Sequence, residues 1–342
     1  MTDPGIHPLL AIETSCDETS AAVIGPGGAV LSCVVRTQVE EHQEFGGVVP
    51  ELASRRHLEW IDAVVAEALS VAGIGLGDVR SVGVTRGPGL VGCLLVGLAW
   101  AQGFTVARGL PLLGVNHLEG HLLASFIGTP APPFPFLALT VSGGHTSLVH
   151  CRDVGEYEVL GDTLDDAAGE AFDKSARLLG LPYPGGIQVD RLAQSGDPKA
   201  VALPRGMKGK PGYNFSFSGL KTAVWKHLQQ AGVPEGQALH DFCASLQEAI
   251  VDALLHKTRK AAREMGIRRV VVTGGVAANS RLRAAFADAA ELDGWELFRP
   301  EMRFCTDNAA MIGYAAHLRL SRGERSPADV DVAPGLSLRS VG

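Results

Sequence analysis

The run LLAIETS (9–15) is apolar until its last residues, passes through a polar CDE turn, and returns as TSAAVI (19–24). Apolar runs of this length around a short polar loop read as two adjacent strands. The figure recurs as LALTVS (137–142), Gly143 and Gly144, then TSLV (146–149), placing Thr19-Ser20 and Thr146-Ser147 127 positions apart. A second echo joins VGVTRGPG (82–89) to VVVTGGVA (270–277), each a strand, a Thr, a Gly-rich turn and an apolar helix. Two similar lobes explain both echoes most simply. In a chain with 42 glycines such matches also arise by chance, so duplication and coincidence both stand on the sequence alone. In either case, Gly-rich turns at strand ends can present backbone N–H groups to phosphate, and helix N-termini add a favourable dipole.

Strand-like and helix-like runs alternate along most of the 342 residues, which predicts α/β layers. The length favours two lobes with a site in the cleft between them. Four prolines in TPAPPFPF (129–136) mark a stiff connector. Lobes are therefore expected over 1–133 and 134–305, with the segment 306–342 and its helix (about 308–322) a candidate to complete the first. With 46% hydrophobic and 20% charged residues the chain is neither disordered nor a coiled coil. Its net charge of −7 argues against gripping nucleic acid by charge alone, although a locally basic face is compatible with it. Six cysteines without a C-x-x-C, and no basic, apolar leader, predict reduced thiols in a cytoplasmic chain. Gly87 to Ala107 is 21 residues without a charge, but its five glycines, Pro88 and Gln102 favour a buried helix after a GPG turn over a membrane span.

NHLEGHLLA sets His117 and His121 four apart, so on a helix both imidazoles share one face and can reach one metal ion. Two helix histidines bonded to their neighbours are the plainer alternative. The zincin motif does not fit: position 118 is Leu, and Glu119 lies about 200° around the helix from His117. Asp307 in RFCTDNAAM is a candidate third ligand, and a hard oxygen donor suits iron, manganese or magnesium. Read locally, Asp307 or Thr306 is first of all the N-cap of the last helix. In GDTLDDAAGEAFDK, Asp166, Glu170 and Asp173 form a stripe that is a solvated face by default. The LPYPGG turn and IQVDRLA after it make Asp173, Gly186 and Asp190 candidates for ribose hydroxyls. From Lys199 to Pro234 six basic residues and no acid are interleaved with Tyr213, Phe215, Phe217 and Trp225. That is either a nucleic-acid footprint or a Gly-rich insertion whose aromatics cover a core edge. Arg55 and Arg56 read as a solvated helix face.

Taken together, AIETSCDETSAAV, GGVVPELASRRHLE, GPGLVGCLLVGLAWAQG, GVNHLEGHLLA, VSGGHTSLV, GDTLDDAAGEAFDKSARLLGLPYPGG, FSFSGLKTAV, VVVTGGVAANSRLR and FCTDNAAMIGYA resemble the TsaD/Gcp/YgjD family over residues 11 to about 316. The resemblance implies the two-lobed α/β fold of actin, Hsp70 and sugar kinases (the ASKHA fold), with duplicated lobes around a nucleotide cleft. It implies transfer of the threonylcarbamoyl group from threonylcarbamoyl-AMP to N6 of adenosine 37, in tRNAs reading codons that begin with A, with release of AMP. His117, His121 and Asp307 would then hold one divalent ion, iron first, with zinc, manganese or magnesium as alternatives. Thr140, Val141, Ser142, Gly143, Gly144, Asp173, Gly186, Asp190 and Asn279 would line the adenylate site. Thr140 and His145, where archaeal and eukaryotic members carry Tyr and Asn, look bacterial. The resemblance also implies a TsaB-like paralogue and a TsaE-like ATPase as partners, a TsaC-type enzyme supplying the adenylate, and no membrane.

The adenylate is already activated, so no protein nucleophile is needed; alignment and stabilisation of developing charge are. The backbone amides of Ser142, Gly143 and Gly144 are expected at the phosphate, and Glu13, at the end of the first strand, is expected to orient or deprotonate the attacking amine. Two other classes remain: a zinc endopeptidase, which lacks its base at position 118, and an ATP-binding scaffold of the same fold.

Overall fold

A computed structural model of the chain describes residues 5–128 and 130–338. Thr129 of the proline-rich connector, residues 1–4, and 339–342 of the C-terminal segment lie outside the described residues. The chain divides into two compact units. The first runs to Ala131 and takes in Val154–Glu156 and the chain from Pro300 onward; the second comprises Pro132–Asp153 and Tyr157–Arg299.

The first unit contains strands β1 (Leu9–Glu13), β2 (Glu18–Ile24), β3 (Val30–Thr37), β4 (Ser81–Gly87) and β5 (Leu112–Asn116). Its helices are α1 (Val39–Gln43), α2 (Pro50–Val71), α3 (Val91–Arg108) and α4 (His117–Leu123). The sheet order is β3-β2-β1-β4-β5, with β1 antiparallel to β2 and parallel to β4. All five residues of β1 are buried, as expected of a central strand covered on both faces. The apolar stripe of α2, running through Ile61, Val64, Val65 and Ala68, joins Leu10, Ile12 and Val84 in one core.

Among the described residues, α3 is the one helix long and apolar enough to cross a bilayer. The expected buried helix is in fact half-buried: Cys93, Leu94, Gly97 and Ala101 face inward, while Val91, Leu95 and Val106 are exposed. Two side-chain bonds fix its inner face: Thr14 Oγ1 donates to Cys93 O at 2.8 Å, and Trp100 Nε1 to Asp62 Oδ1 at 2.8 Å. Gly97 allows the approach, because a Cβ there would lie 2.5 Å from Thr14 Oγ1.

The second unit contains β6 (Phe136–Val141), β7 (Thr146–Asp153), β8 (Glu156–Asp162), β9 (Arg269–Thr273) and β10 (Glu296–Phe298). Its helices are α5 (Ala168–Leu178), α6 (Gly185–Ala193), α7 (Ser218–Ala231), α8 (Gln237–Met265) and α9 (Ser280–Asp293). The sheet order is β10-β9-β6-β7-β8, which in each unit's own chain order is the order of the first sheet. The match holds to the residue. Glu13 pairs with Ser20 as Thr140 pairs with Ser147, and Leu10 pairs with Val82 as Leu137 pairs with Val270. Coincidence does not produce two sheets with one register, so the echoes are a duplicated lobe.

The chain then returns to the first unit as α10 (Ala309–Ser321), whose small residues bring it close to the sheet. A Cβ on Gly83 would meet Ala316 Cβ at 2.5 Å.

In the second unit the aromatics of 199–234 resolve mainly as core. Phe215 and Phe217 are each 1% exposed, and the Tyr213 hydroxyl donates to Glu264; Trp225 is the exposed one. The acidic segment is their seam: Phe215 N donates to Asp162 O, and Leu164 N to Phe215 O. Asp165 accepts from the backbone N–H groups of Phe217 and Ser218 and so caps α7, while Asp166 pairs with Lys174 and Lys221. The acidic segment is therefore a part-exposed polar seam, with Asp162 and Asp165 exposed and Asp166, Glu170 and Asp173 half-buried.

Candidate metal centre and glycine-loop site

Strand β5 ends at Asn116, whose Oδ1 accepts from Leu118 N at 2.9 Å and Glu119 N at 3.4 Å, turning the chain directly into α4. The turn brings His117 and His121 side by side, with ring centroids 4.8 Å apart and planes at 89°. Both are buried. Glu119 points elsewhere, to Arg319 of α10 at 3.2 Å, which removes the last candidate for a protease base.

Asp307 reaches the pair from the turn before α10. The helix is capped by Asn308, whose Oδ1 accepts from Met311 N at 3.0 Å, and not by Thr306 or Asp307. Asp307 Oδ1 lies 3.0 Å from His121 Nε2 and 3.5 Å from His117 Nε2. Among the described residues this is the one cluster of His, Cys, Asp or Glu suited to a metal, its ligand atoms all within 4.8 Å of one another. Two imidazoles and one carboxylate match the donor set of a divalent transition metal.

Glu13 is fully buried at the end of β1. Its Oε1 accepts from Ser15 N at 2.5 Å; its Oε2 accepts from Thr85 Oγ1 at 2.5 Å and lies 3.1 Å from His117 Nδ1. The carboxylate is engaged by three protein groups, one of them a candidate ligand. Burial raises the Glu13 carboxyl, but His117 outweighs it and holds the group below its ordinary value. Burial likewise lowers the His117 imidazole, but Asp307 and Glu13 outweigh it and push it up to about 9. The imidazole is thus favoured in its charged form between two carboxylates.

The 14–19 loop carrying Ser15 is clamped by both neighbouring helices. Leu90 N donates to Ser15 O at 2.8 Å, and His57 Nε2 donates to Cys16 O at 2.9 Å while its Nδ1 meets Thr19 Oγ1 at 2.8 Å. A carbonyl only accepts, so His57 is the Nε2–H tautomer. Sequence reasoning missed Ser15, Thr85, His57 and the Glu119–Arg319 pair. The one usable signal was Thr85, which ends the strand parallel to β1 in the echoed VGVTRG motif.

The remaining candidates all belong to the second unit, where contacts link them in a ring. Ser142 N donates to His145 O at 2.8 Å and closes the glycine turn, so this amide is committed and not open to phosphate as expected. Gly143 and Gly144 are exposed, with nothing within 4 Å of where a Cβ would stand. Gly169 of α5 packs under the turn, where a Cβ would lie 2.6 Å from Ser142 O. Asp173 of α5 accepts from Gly186 N at 3.0 Å, joining α5 to α6. Asp190 of α6 accepts from Ser280 Oγ at 2.6 Å and Ser280 N at 3.1 Å. Asn279 caps α9 through Leu282 N and donates to Gln247 Oε1. Gly274 closes the ring against Val141, whose side chain is core, leaving only its backbone for a ligand. Thr140 is fully buried, and its Oγ1 has no hydrogen-bond partner.

Comparison with known proteins decides the family. The family model described as "TsaD: tRNA N6-adenosine threonylcarbamoyltransferase" matches residues 29–314. The chain belongs to the TsaD family. A relative of that name from Anaeromyxobacter dehalogenans (strain 2CP-C) is 56% identical over 331 residues, 96% of this chain and 99% of the relative. Another, from Geobacter sulfurreducens, is 53% identical over 334 residues, covering 98% of each. Among solved structures, HypF of T. kodakarensis aligns with a TM-score of 0.62 at 13% identity, over 92% of this chain and 48% of that one. The Acidaminococcus fermentans (R)-2-hydroxyglutaryl-CoA dehydratase component A aligns at 0.51 and 16%, over 92% and 98%. At such identities these two speak for the fold alone, the ASKHA architecture that TsaD proteins share.

Proposed function

We propose that this transferase moves the threonylcarbamoyl group from threonylcarbamoyl-AMP to N6 of adenosine 37 in tRNAs that read codons beginning with A. The supporting observation is the buried His117, His121 and Asp307 cluster, with Glu13 holding the first ligand, in a chain of the TsaD family. In the reaction N6 attacks the carbamoyl carbon, the bond from that carbon to the phosphate oxygen breaks, AMP leaves with the bonding pair, and N6 loses a proton. The anhydride needs no protein nucleophile; the purine amine is the weak partner, so alignment and charge stabilisation carry the rate.

In this reading His117 Nε2, His121 Nε2 and Asp307 hold a divalent cation, iron(II) by family pattern, with zinc, manganese or magnesium as alternatives. When bound it supplies Lewis-acid stabilisation of substrate oxygen. Glu13 and Ser15 fix the His117 ring from its Nδ1 side, and Asn116 fixes the helix that carries it. The open amides of Gly143 and Gly144 meet the adenylate phosphate, with the N-terminus of α5 packed directly beneath them. Asp173, Gly186, Asp190 and Asn279 shape the surrounding wall, the last two largely through their ties to Ser280 and Gln247. The chain works in the cytoplasm with a TsaB-like paralogue and a TsaE-like ATPase, on adenylate from a TsaC-type enzyme.

The test is mass spectrometry of nucleosides from tRNA incubated with threonine, bicarbonate, ATP, the adenylate-forming enzyme and both partners. Threonylcarbamoyladenosine should form with the native chain and fall to background with His117→Ala. A folded native chain that gives no product with competent partners would replace this reading with an ATP-binding scaffold.

A further inference from the structure

The C-terminal end of α8 and the turn into β9 read HKTRKAAREMGIRR from His256 to Arg269, six Lys or Arg and one Glu in a chain of net charge −7. In the structure this stretch is the floor of a larger basic face. Lys257, fully buried, donates its Nζ to the carbonyls of Lys210 (3.1 Å) and Gly212 (3.0 Å), and Lys260 donates to Gly212 O at 3.4 Å. The 208–212 loop is therefore fastened onto α8 through its backbone, with the Lys208 and Lys210 side chains exposed. Beyond it, Arg263 and Arg268 are exposed and line one hollow with Trp295. The crowding is felt by His256, which burial first, and then Lys257, Lys208, Lys260 and Arg263, hold below its ordinary value.

The carboxylates nearby are already engaged: Glu264 accepts from Tyr213, and Asp293 pairs with Arg259. Among the described residues Lys208, Lys210, Arg263 and Arg268 make no ion pair, whereas Arg205 and Lys221 of the basic 199–234 stretch are neutralised by Asp252 and Asp166. From His256 to Arg263 the array runs about 10 Å along the helix. Lys260, 4.0 Å from Glu264, stands between these four unpaired cations, and cations spread over a face in this way fit successive phosphates of a nucleic-acid strand better than one isolated anion.

We propose that the face formed by Lys208, Lys210, Lys260, Arg263 and Arg268 holds the phosphate backbone of the substrate tRNA. The proposal rests on the tRNA-transfer reading. It also answers a question of charge: an acidic chain that takes a polyanion as substrate needs its cations gathered on one face, and this face gathers them. The contact is to backbone and carries no sequence preference, so it would weaken for all tRNAs alike.

The test is fluorescence anisotropy of a labelled tRNA transcript with the full chain, comparing native protein, Arg263→Glu/Arg268→Glu, and a control of equal charge change, Arg36→Glu/Arg152→Glu. The face variant should raise Kd at least tenfold at 150 mM salt and lower the slope of log Kd against log salt by about two, while the control moves Kd less than twofold. Unchanged melting and metal content would show that the variant is folded. Equal weakening by both variants, or by neither, overturns the face. Loss of binding to phosphatidylserine vesicles with tRNA Kd unchanged overturns it in favour of a lipid surface. If the native chain fails in the transfer assay, the functional reading falls first; if it succeeds and the face variant keeps the native KM for tRNA, the face alone falls.

Discussion

Nδ1 of His117 lies 3.1 Å from Oε2 of Glu13, and on the opposite side of the ring Nε2 faces Oδ1 of Asp307 at 3.5 Å. The imidazole is thus held between a buried carboxylate that orients it and an acid beside which it can bind a cation, a carboxylate–histidine–metal arrangement. Glu13→Gln removes the charge and leaves one oxygen to serve the three groups that Glu13 now engages. Its affinity for Co2+ or Fe2+, measured by competition with a chromogenic chelator, should fall 10- to 100-fold. An affinity within twofold of native would exclude the orienting role.

Metal uptake should release a proton. With His117 pushed up to about 9, the metal-free ring is charged at neutral pH, whereas a ligand must be neutral. Calorimetry in two buffers of different ionisation enthalpy should find about one proton released per ion at pH 7 and few above pH 9. The same shift has a consequence for folding. A pKa raised from about 6.5 in the unfolded chain stabilises the metal-free protein fully below pH 6.5 and ceases to do so as pH rises through 9. The melting temperature of the metal-free chain should drop across that window, and a flat profile would contradict the ion pair.

Arg319 joins the helix of the two histidines to the helix that follows Asp307, through fully buried Glu119. Arg319→Met removes the cation beside that carboxylate and should cost about 3 to 5 kcal/mol in chemical denaturation. Adding Glu119→Leu should recover much of the loss, because the uncompensated charge is then gone. Additive losses in the double variant would mean the two residues act separately.

Asp165 caps α7 by accepting from Ser216, Phe217 and Ser218. Asp165→Ala should destabilise the chain by about 1 kcal/mol. Partial burial raises this carboxyl, but the donors outweigh it and hold it below its ordinary 3.8. Its contribution is therefore complete above pH 3.8 and disappears as pH falls through the folded value. A variant and native chain with equal denaturation midpoints at pH 7 would refute the cap.

The class of fold was legible because strand periodicity and Gly-rich turns are local signals, whereas the echoes left duplication open until the shared register of the two sheets decided it. The His117–His121 pair was legible for the same reason, since helical spacing is local. Asp307 was named as a candidate ligand, but the cap of the last helix was given to Thr306 or Asp307, and only the packed structure shows that Asn308 takes it. Glu13 was found as a residue, but its partners Thr85 and His117 were not, because they stand 72 and 104 positions away. Phe215 and Phe217 likewise look exposed in a basic stretch until the acidic segment some 50 residues earlier is seen to zip against them. The basic half of α8 escaped notice because Lys and Arg on a long helix ordinarily mean a solvated face, and only the fastening of 208–212 by Lys257 makes it continuous.

The shared register of the two sheets puts Glu13 and Thr140 in one structural slot, and Thr85 and Thr273 in the slot beside it. The same strand end thus bears a buried acid in one copy and a buried hydroxyl in the other. An acid there attracts a cation and repels an anion, whereas a hydroxyl is neutral to both and can donate as well as accept. One scaffold used twice thus carries a charged strand end in one copy and a neutral one in the other, so the electrostatics at this slot differ although the backbone does not.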